Sequence, residues 1–211
     1  MKWSDWTPNY CKTIPKLQFH DNHHTIALLN VRSITAKLPD IACDSNLKYA
    51  SILCFCETWL TPPQPSPVVQ SNQIAIRCDR ASGDNKGGVM ISVPECMQPT
   101  NACRYASNGI EAISITILLA NNRPIQIALL YRSPSVPLQT LTSLLSRVLN
   151  HISTSLPSIV LGDFNEDILH TDCRITSFMS SHGYTQIVNS PTTEAHSSIM
   201  YIAMKPYLAI Q

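Results

Sequence analysis

Short apolar runs recur along this chain, and a residue able to do chemistry stands where each one stops. Asn30 follows Ile26-Ala-Leu-Leu, Glu57 follows Ile52-Leu-Cys-Phe-Cys, Asp79 follows Ile74-Ala-Ile-Arg-Cys, Tyr131 follows Ile127-Ala-Leu-Leu, and Asp163 with Asn165 follows Ile159-Val-Leu-Gly. Apolar runs this short, bounded by polar residues, read as buried strands. The ends of strands are where a rigid scaffold can hold side chains toward a common rim. The pattern therefore calls for a sheet protein whose strand ends carry the polar residues.

The remaining periodicities fill in the order of elements. Strands are predicted at 25–31, 51–56, 74–79 and 87–93, the last two joined by the polar turn 81–86. Ser33 is positioned to N-cap a helix whose Ile34, Leu38 and Ile41 share a face, followed by Leu47, with Pro39 as the discordant residue. The clearest hairpin alternates Ile113, Ile115, Ile117 and Leu119 with smaller residues, turns through Asn121, Asn122 and Pro124, and returns on Ile125, Ile127 and Leu129. Helical spacing over 138–149, a strand at 158–161, a helix over 172–182 and a short strand at 186–188 complete the reading. The proline-rich stretch 61–67 is a surface loop inside one domain, since similar apolar segments flank it. Strand runs broken by occasional helices predict an α+β or layered α/β sandwich, two sheets faced by helices. Residues 1–24 form a polar leader, expected to be poorly ordered, and residues 25–211 form one domain.

Composition narrows the function. Lys and Arg number 15 against 14 Asp and Glu, and charged residues are 14% of the 211-residue chain, against about 25% in ordinary soluble domains. Binding nucleic acid by bulk charge needs a clustered basic excess, so any such role must come from a local site. The apolar run 110–120 is broken by Glu111, Ser114 and Thr116, too short and too polar for a membrane span. The N-terminus has prolines and polar residues where a signal peptide would be apolar, which with the eight cysteines and no C-x-x-C predicts an intracellular protein with reduced thiols. Cys54 and Cys56, two apart in an apolar run, read as core thiols on one strand face.

The strand-end set contains three carboxylates, two amides and a phenol. Those are oxygen ligands suited to a hard divalent cation beside a phosphoryl group, and they are not a zinc set. Asn30-Val-Arg-Ser, Glu57-Thr-Trp-Leu, Arg77-Cys-Asp79-Arg80, Gly87-Gly88-Val, Tyr131-Arg-Ser-Pro and Gly162-Asp163-Phe-Asn165 occur in that order. Together they resemble the apurinic/apyrimidinic-type endonuclease domain of non-LTR retrotransposons, within the endonuclease/exonuclease/phosphatase superfamily, over residues 25 to 193. The resemblance implies a four-layer fold and a catalytic Mg²⁺ or Mn²⁺ held mainly by Glu57, with Asn30 beside it. It implies that Asp163 orients or deprotonates the attacking water, that Asn165 holds the phosphate or the metal shell, and that Tyr131 donates to the phosphate. Arg77, Arg80 and Lys86 would touch DNA, and the nicked product with its 3′ hydroxyl would prime a reverse transcriptase, in the nucleus. No membrane and no small-molecule cofactor are implied.

Blander roles compete. Asp79 with Arg77 and Arg80 can be a structural ion pair, Tyr131 can pack on Pro134, and Asn30 can bond backbone at a strand terminus. The chain also departs from the resembled pattern. In Ser197-Ser198-Ile-Met200-Tyr-Ile no aspartate is present, Met200 or its neighbour standing where one is expected, and no Ser-Asp-His follows before Gln211. The expectation is thus a domain lacking its last strand and C-terminal motif, with impaired cleavage. The alternative is a catalytically dead remnant or domesticated DNA- or metal-binding module. A lipid or inositol phosphatase is disfavoured, because nothing in the chain suggests such a pocket.

Overall fold

The computed structural model describes residues 17–19, 22–81, 86–107, 109–119, 122–169, 173–190 and 200–205. Strands β1 (Leu17–Phe19) and β2 (Asn22–His24) pair as a small antiparallel ladder, so the polar leader contributes structure at its end. β3 (Ile26–Asn30) leads through helices α1 (Ile34–Cys43) and α2 (Ser45–Lys48) to β4 (Ile52–Cys56), which lies parallel to β3. β5 (Gln73–Cys78) and β6 (Val89–Pro94) are antiparallel, and the first sheet has the order β3-β4-β6-β5.

A single 3₁₀ turn at Glu95–Met97 precedes β7 (Thr100–Ser107), β8 (Ile110–Leu119) and β9 (Arg123–Arg132). Helix α3 (Leu138–His151) crosses over to β10 (Ser158–Asp163), parallel to β9. Then come α4 (Arg174–Ser181), β11 (Thr185–Gln186) and β12 (Met200–Lys205), giving a second, six-stranded sheet ordered β11-β12-β10-β9-β8-β7.

The two sheets pack face to face. Leu28, Cys54, Cys56 and Ile91 of the first meet Ile113, Ile115, Ile127, Leu129 and Leu161 of the second in one buried cluster. Alternate residues of the same strands point outward: Ala27, Leu29, Leu53 and Phe55 pack under Ile34, Ile41 and Leu47 of α1 and α2, and Ala112, Ala128, Leu130 and Val160 pack under Leu141, Leu145 and Ile175 of α3 and α4. Helices on both outer faces explain why the central strands are apolar along their whole length rather than alternating. The expected two-sheet sandwich with flanking helices is the observed fold, and Cys54 and Cys56 are core thiols within it.

Two local expectations change. Ser33 does not cap α1 with its side chain; it sits at φ 87, and the leading amides are satisfied by the strap after β4, with Ser33 N–H on Glu57 O at 2.9 Å and Ile34 N–H on Thr58 O at 3.0 Å. β7 has no apolar run to announce it, because it is an edge strand exposed along most of its length. No helix among the described residues is long and apolar enough to cross a membrane.

Candidate active site

The parallel register of β3 with β4 sets Asn30 opposite Cys56, so Glu57 emerges one step beyond it at the same end of the sheet. On the second sheet, the parallel register of β9 with β10 sets Tyr131 beside Asp163. Packing of the two sheets brings these ends together. The Asn30 side-chain amide donates from Nδ2 to Glu57 Oε1 at 2.6 Å and to Asp163 Oδ2 at 2.7 Å, one nitrogen joining carboxylates from opposite sheets. Glu57 Oε2 also accepts from Trp59 Nε1 at 3.2 Å. Asp163 Oδ1 accepts from the Asn165 N–H at 3.1 Å.

Asp163 is fully buried, and burial pushes its carboxyl up to about 6, with the Glu57 charge adding to the rise and the bonds from Asn30 and Asn165 opposing it. Tyr131 is buried too; burial first, then the nearby Glu57 charge, push its phenol well up, so at neutral pH it is a donor. Asn165 faces partly inward, its Nδ2 donating to Arg132 O at 2.6 Å, which leaves one amide hydrogen and Oδ1 for the rim.

Backbone strain gathers here. Glu57 and Trp59 lie at φ 56, Arg32 at 42 and Asn165 at 48, all left-handed and none glycine. Such conformations persist where surrounding bonds enforce them, and they concentrate at functional sites. The enforcing bonds are visible: Trp59 N–H donates to Gly87 O at 2.9 Å and Thr58 N–H to Gly88 O at 3.3 Å, in addition to the strap contacts of Ser33 and Ile34.

The basic residues expected on DNA fare differently. Arg77 donates to the carbonyls of Thr61, Pro62 and Gln64, the last at 2.6 Å, and its Nε lies 3.3 Å from Asp79 Oδ2. It fastens the proline-rich loop. Arg80 forms a two-pronged pair with the buried Glu111, at 2.8 and 3.2 Å, donates to Ser133 Oγ at 2.7 Å and lies over the Tyr131 ring. Both guanidiniums bond to acceptors within the protein, and Arg77 Nη1 is buried without a partner. Asp79 belongs to the structural pair with Arg77, and burial pushes its carboxyl up while Arg77 opposes the rise. Lys86 is exposed.

Two residues escaped the sequence reading. Glu111, second residue of the apolar strand β8, anchors Arg80 and also accepts from Gly88 N–H at 3.1 Å. Arg132, next to Tyr131, is buried and donates to the carbonyls of Val136, Phe164 at 2.6 Å and Asn165 at 2.7 Å, and to Glu166 at 3.2 Å. It ties the turn after β9 to the turn after β10, and so fixes the backbone that carries Asp163 and Asn165. A charged residue within an apolar run, for Glu111, or closing one, for Arg132, was the available signal.

The donor set suits a hard cation. Asn30 Oδ1 is buried without a hydrogen-bond partner, and beside it are the two carboxylates. No trio of His, Cys, Asp and Glu among the described residues could hold a metal alone. Mg²⁺ needs none, since it keeps several waters and takes one or two carboxylates together with substrate oxygens. The raised carboxyl of Asp163 then sets a pH dependence. Its folded value lies above the ordinary 3.8, so in the metal-free protein this group stabilises the fold most at acid pH, and that contribution is lost as pH rises through about 6. A cation seated there must displace the proton below that pH. Apparent Mg²⁺ affinity, followed as a thermal shift, should fall up to about tenfold per pH unit below 6 and level off above it; a flat profile from pH 4.5 to 7.5 would remove Asp163 from the cation's surroundings.

No family model matches the sequence, and no curated protein sequence is similar enough to count as a match. Solved structures do match. The endonuclease domain of TRAS1, a telomere-specific non-LTR retrotransposon, is similar at 15% identity and a TM-score of 0.63, covering 85% of this chain and 83% of that one. A mannosyl-6-phosphatase from Bacteroides thetaiotaomicron matches at 15% identity and TM-score 0.67, covering 87% and 85%. D. rerio TDP2, solved with a single-strand DNA product, matches at 14% and 0.60, covering 86% and 83%. The chain has the endonuclease/exonuclease/phosphatase fold. Because that fold carries both a sugar phosphatase and nucleases, substrate must be argued from the site.

Proposed function

We propose that this chain is a metal-dependent phosphodiesterase of the retrotransposon endonuclease type, which nicks DNA and leaves a 3′ hydroxyl for a reverse transcriptase in the nucleus. The observation that carries the reading is the single Asn30 amide joining Glu57 to a buried, proton-accepting Asp163 across the two sheets. Glu57 and Asn30 Oδ1 would hold Mg²⁺ or Mn²⁺, which when bound polarises the phosphate and stabilises the leaving oxygen. Asp163 aligns a water for in-line attack and takes its proton; a carboxyl near 6 is closer to working pH than an ordinary one. Tyr131 donates to a phosphate oxygen as charge develops. Asn165 places the Asp163 carboxylate through its backbone N–H.

One observation favours the second reading, a catalytically dead DNA- or metal-binding remnant. β12 pairs with β10 so that Met200 lies opposite Asp163, in the segment where the resemblance implies an aspartate and this chain has none. Incubation of the purified chain with supercoiled plasmid separates the two. The endonuclease reading expects open-circular product with Mg²⁺, none with EDTA, and nicks that a DNA polymerase extends directly. Metal-induced stabilisation with no nicking at any Mg²⁺ or Mn²⁺ concentration establishes the dead module instead.

A further inference from the structure

Arg77 bonds to the proline-rich loop and Asp79, and Arg80 to Glu111 and Ser133, so an arginine open to the rim is better placed to meet the substrate's negative charge. We infer that Arg32 is the residue that grips the phosphate at this site, an assignment that rests on the phosphodiesterase reading and names its substrate contact. Arg32 is two residues beyond Asn30, in the turn from β3 to α1. Its neighbours are pinned to the end of the adjacent strand β4: Val31 N–H donates to Cys56 O at 3.0 Å and Ser33 N–H to Glu57 O at 2.9 Å. Arg32 itself is held at φ 42 and Ser33 at φ 87, left-handed conformations that a side-chain-bearing residue adopts only under constraint.

The constraint presents the side chain outward. Arg32 is exposed, and no acceptor among the described residues takes a hydrogen bond or ion pair from it. It stands two residues from Asn30, whose amide joins Glu57 to Asp163. The other arginines in the motifs that mark this rim, Arg77, Arg80 and Arg132, each donate to acceptors of the protein itself. A guanidinium with a free planar fork matches two phosphate oxygens at once, as a lysine ammonium does not.

The test is equilibrium binding by the full chain in EDTA, so that nothing is cleaved, using a fluorescein-labelled mixed-sequence DNA duplex and, separately, inorganic phosphate. Arg32→Ala should weaken duplex binding about tenfold irrespective of sequence, and lower the slope of log affinity against log salt by about 0.9. Arg32→Lys should restore the slope but not the full affinity, and all three proteins should melt alike. If wild type binds the duplex and Arg32→Ala binds it with the same affinity and slope, the assignment is overturned while the phosphodiesterase reading stands. If wild type binds inorganic phosphate but not the duplex, and Arg32→Ala loses that binding, the phosphate grip stands and the DNA reading falls. Binding of neither probe by the wild type overturns the Arg32 assignment, and the phosphodiesterase reading is then decided by the plasmid assay with Mg²⁺.

Discussion

Asp163→Asn should lower the rate of plasmid nicking by about 10³ without unfolding the protein. A positioned general base is worth about 10² to 10⁴, and the amide keeps the volume of the carboxylate while losing its ability to take a proton. The fold should survive because burial makes the charged Asp163 a cost to the native state, with its carboxyl raised to about 6. Above that pH the neutral substitute escapes the cost. The wild-type nicking rate should rise with pH through about 6 unless the bound cation lowers that value, and the variant's residual rate should lose this rise. A variant within tenfold of wild type would show that another group takes the proton. Duplex binding measured alongside distinguishes loss of chemistry from loss of affinity, since Asp163→Asn removes a negative charge and should bind DNA at least as well.

The two-sheet sandwich was legible because its strands are apolar on both faces and short. That combination leaves few architectures other than sheets covered by helices. The strand-end residues Asn30, Glu57, Tyr131 and Asp163 were legible for the same reason: a polar residue ending an apolar run is visible without knowing what it faces. What each basic residue bonds to was not visible. Arg80 takes Glu111, 31 positions away, and Arg132 takes the carbonyls of Phe164 and Asn165, more than 30 positions away. Sequence spacing carries no trace of such pairs until the sheets are stacked. Local charge pairing was a sound guide only for Arg77 and Asp79, which are neighbours on one strand end. β7 escaped because an exposed edge strand need not be apolar, and Ser33 misled because its cap position is filled by backbone from the strap after β4.

Gly162 is where the fold and the site depend on the same atom. Gly-Asp after an apolar run reads as a turn, yet β10 continues through both residues, with Gly162 paired to Leu130 on one side and Tyr201 on the other. A glycine inside a strand marks a close approach of another backbone. Here a Cβ would sit 1.9 Å from Leu130 O and 2.8 Å from its carbonyl carbon. Leu130 cannot withdraw, since it is fully buried on β9 between β8 and β10, and its carbonyl also accepts from the Cys56 thiol at 3.5 Å. Gly162→Ala should therefore cost about 4 kcal/mol or more, in the range reached only by severe core disruption. That is a large share of the 5 to 15 kcal/mol typical of a domain. Gly183→Ala provides the comparison, because there the nearest atom is the flexible Lys205 Cε at 3.5 Å and only the left-handed backbone, φ 81, resists; about 1 kcal/mol is expected. Urea unfolding of the two variants should separate them by several kcal/mol. If they unfold together, β9 and β10 do not approach as described, and the register that sets Tyr131 beside Asp163 loses its support. If Gly162→Ala folds by prying the strands apart, Asp163 is displaced from the Asn30 amide and nicking should fall as far as in Asp163→Asn.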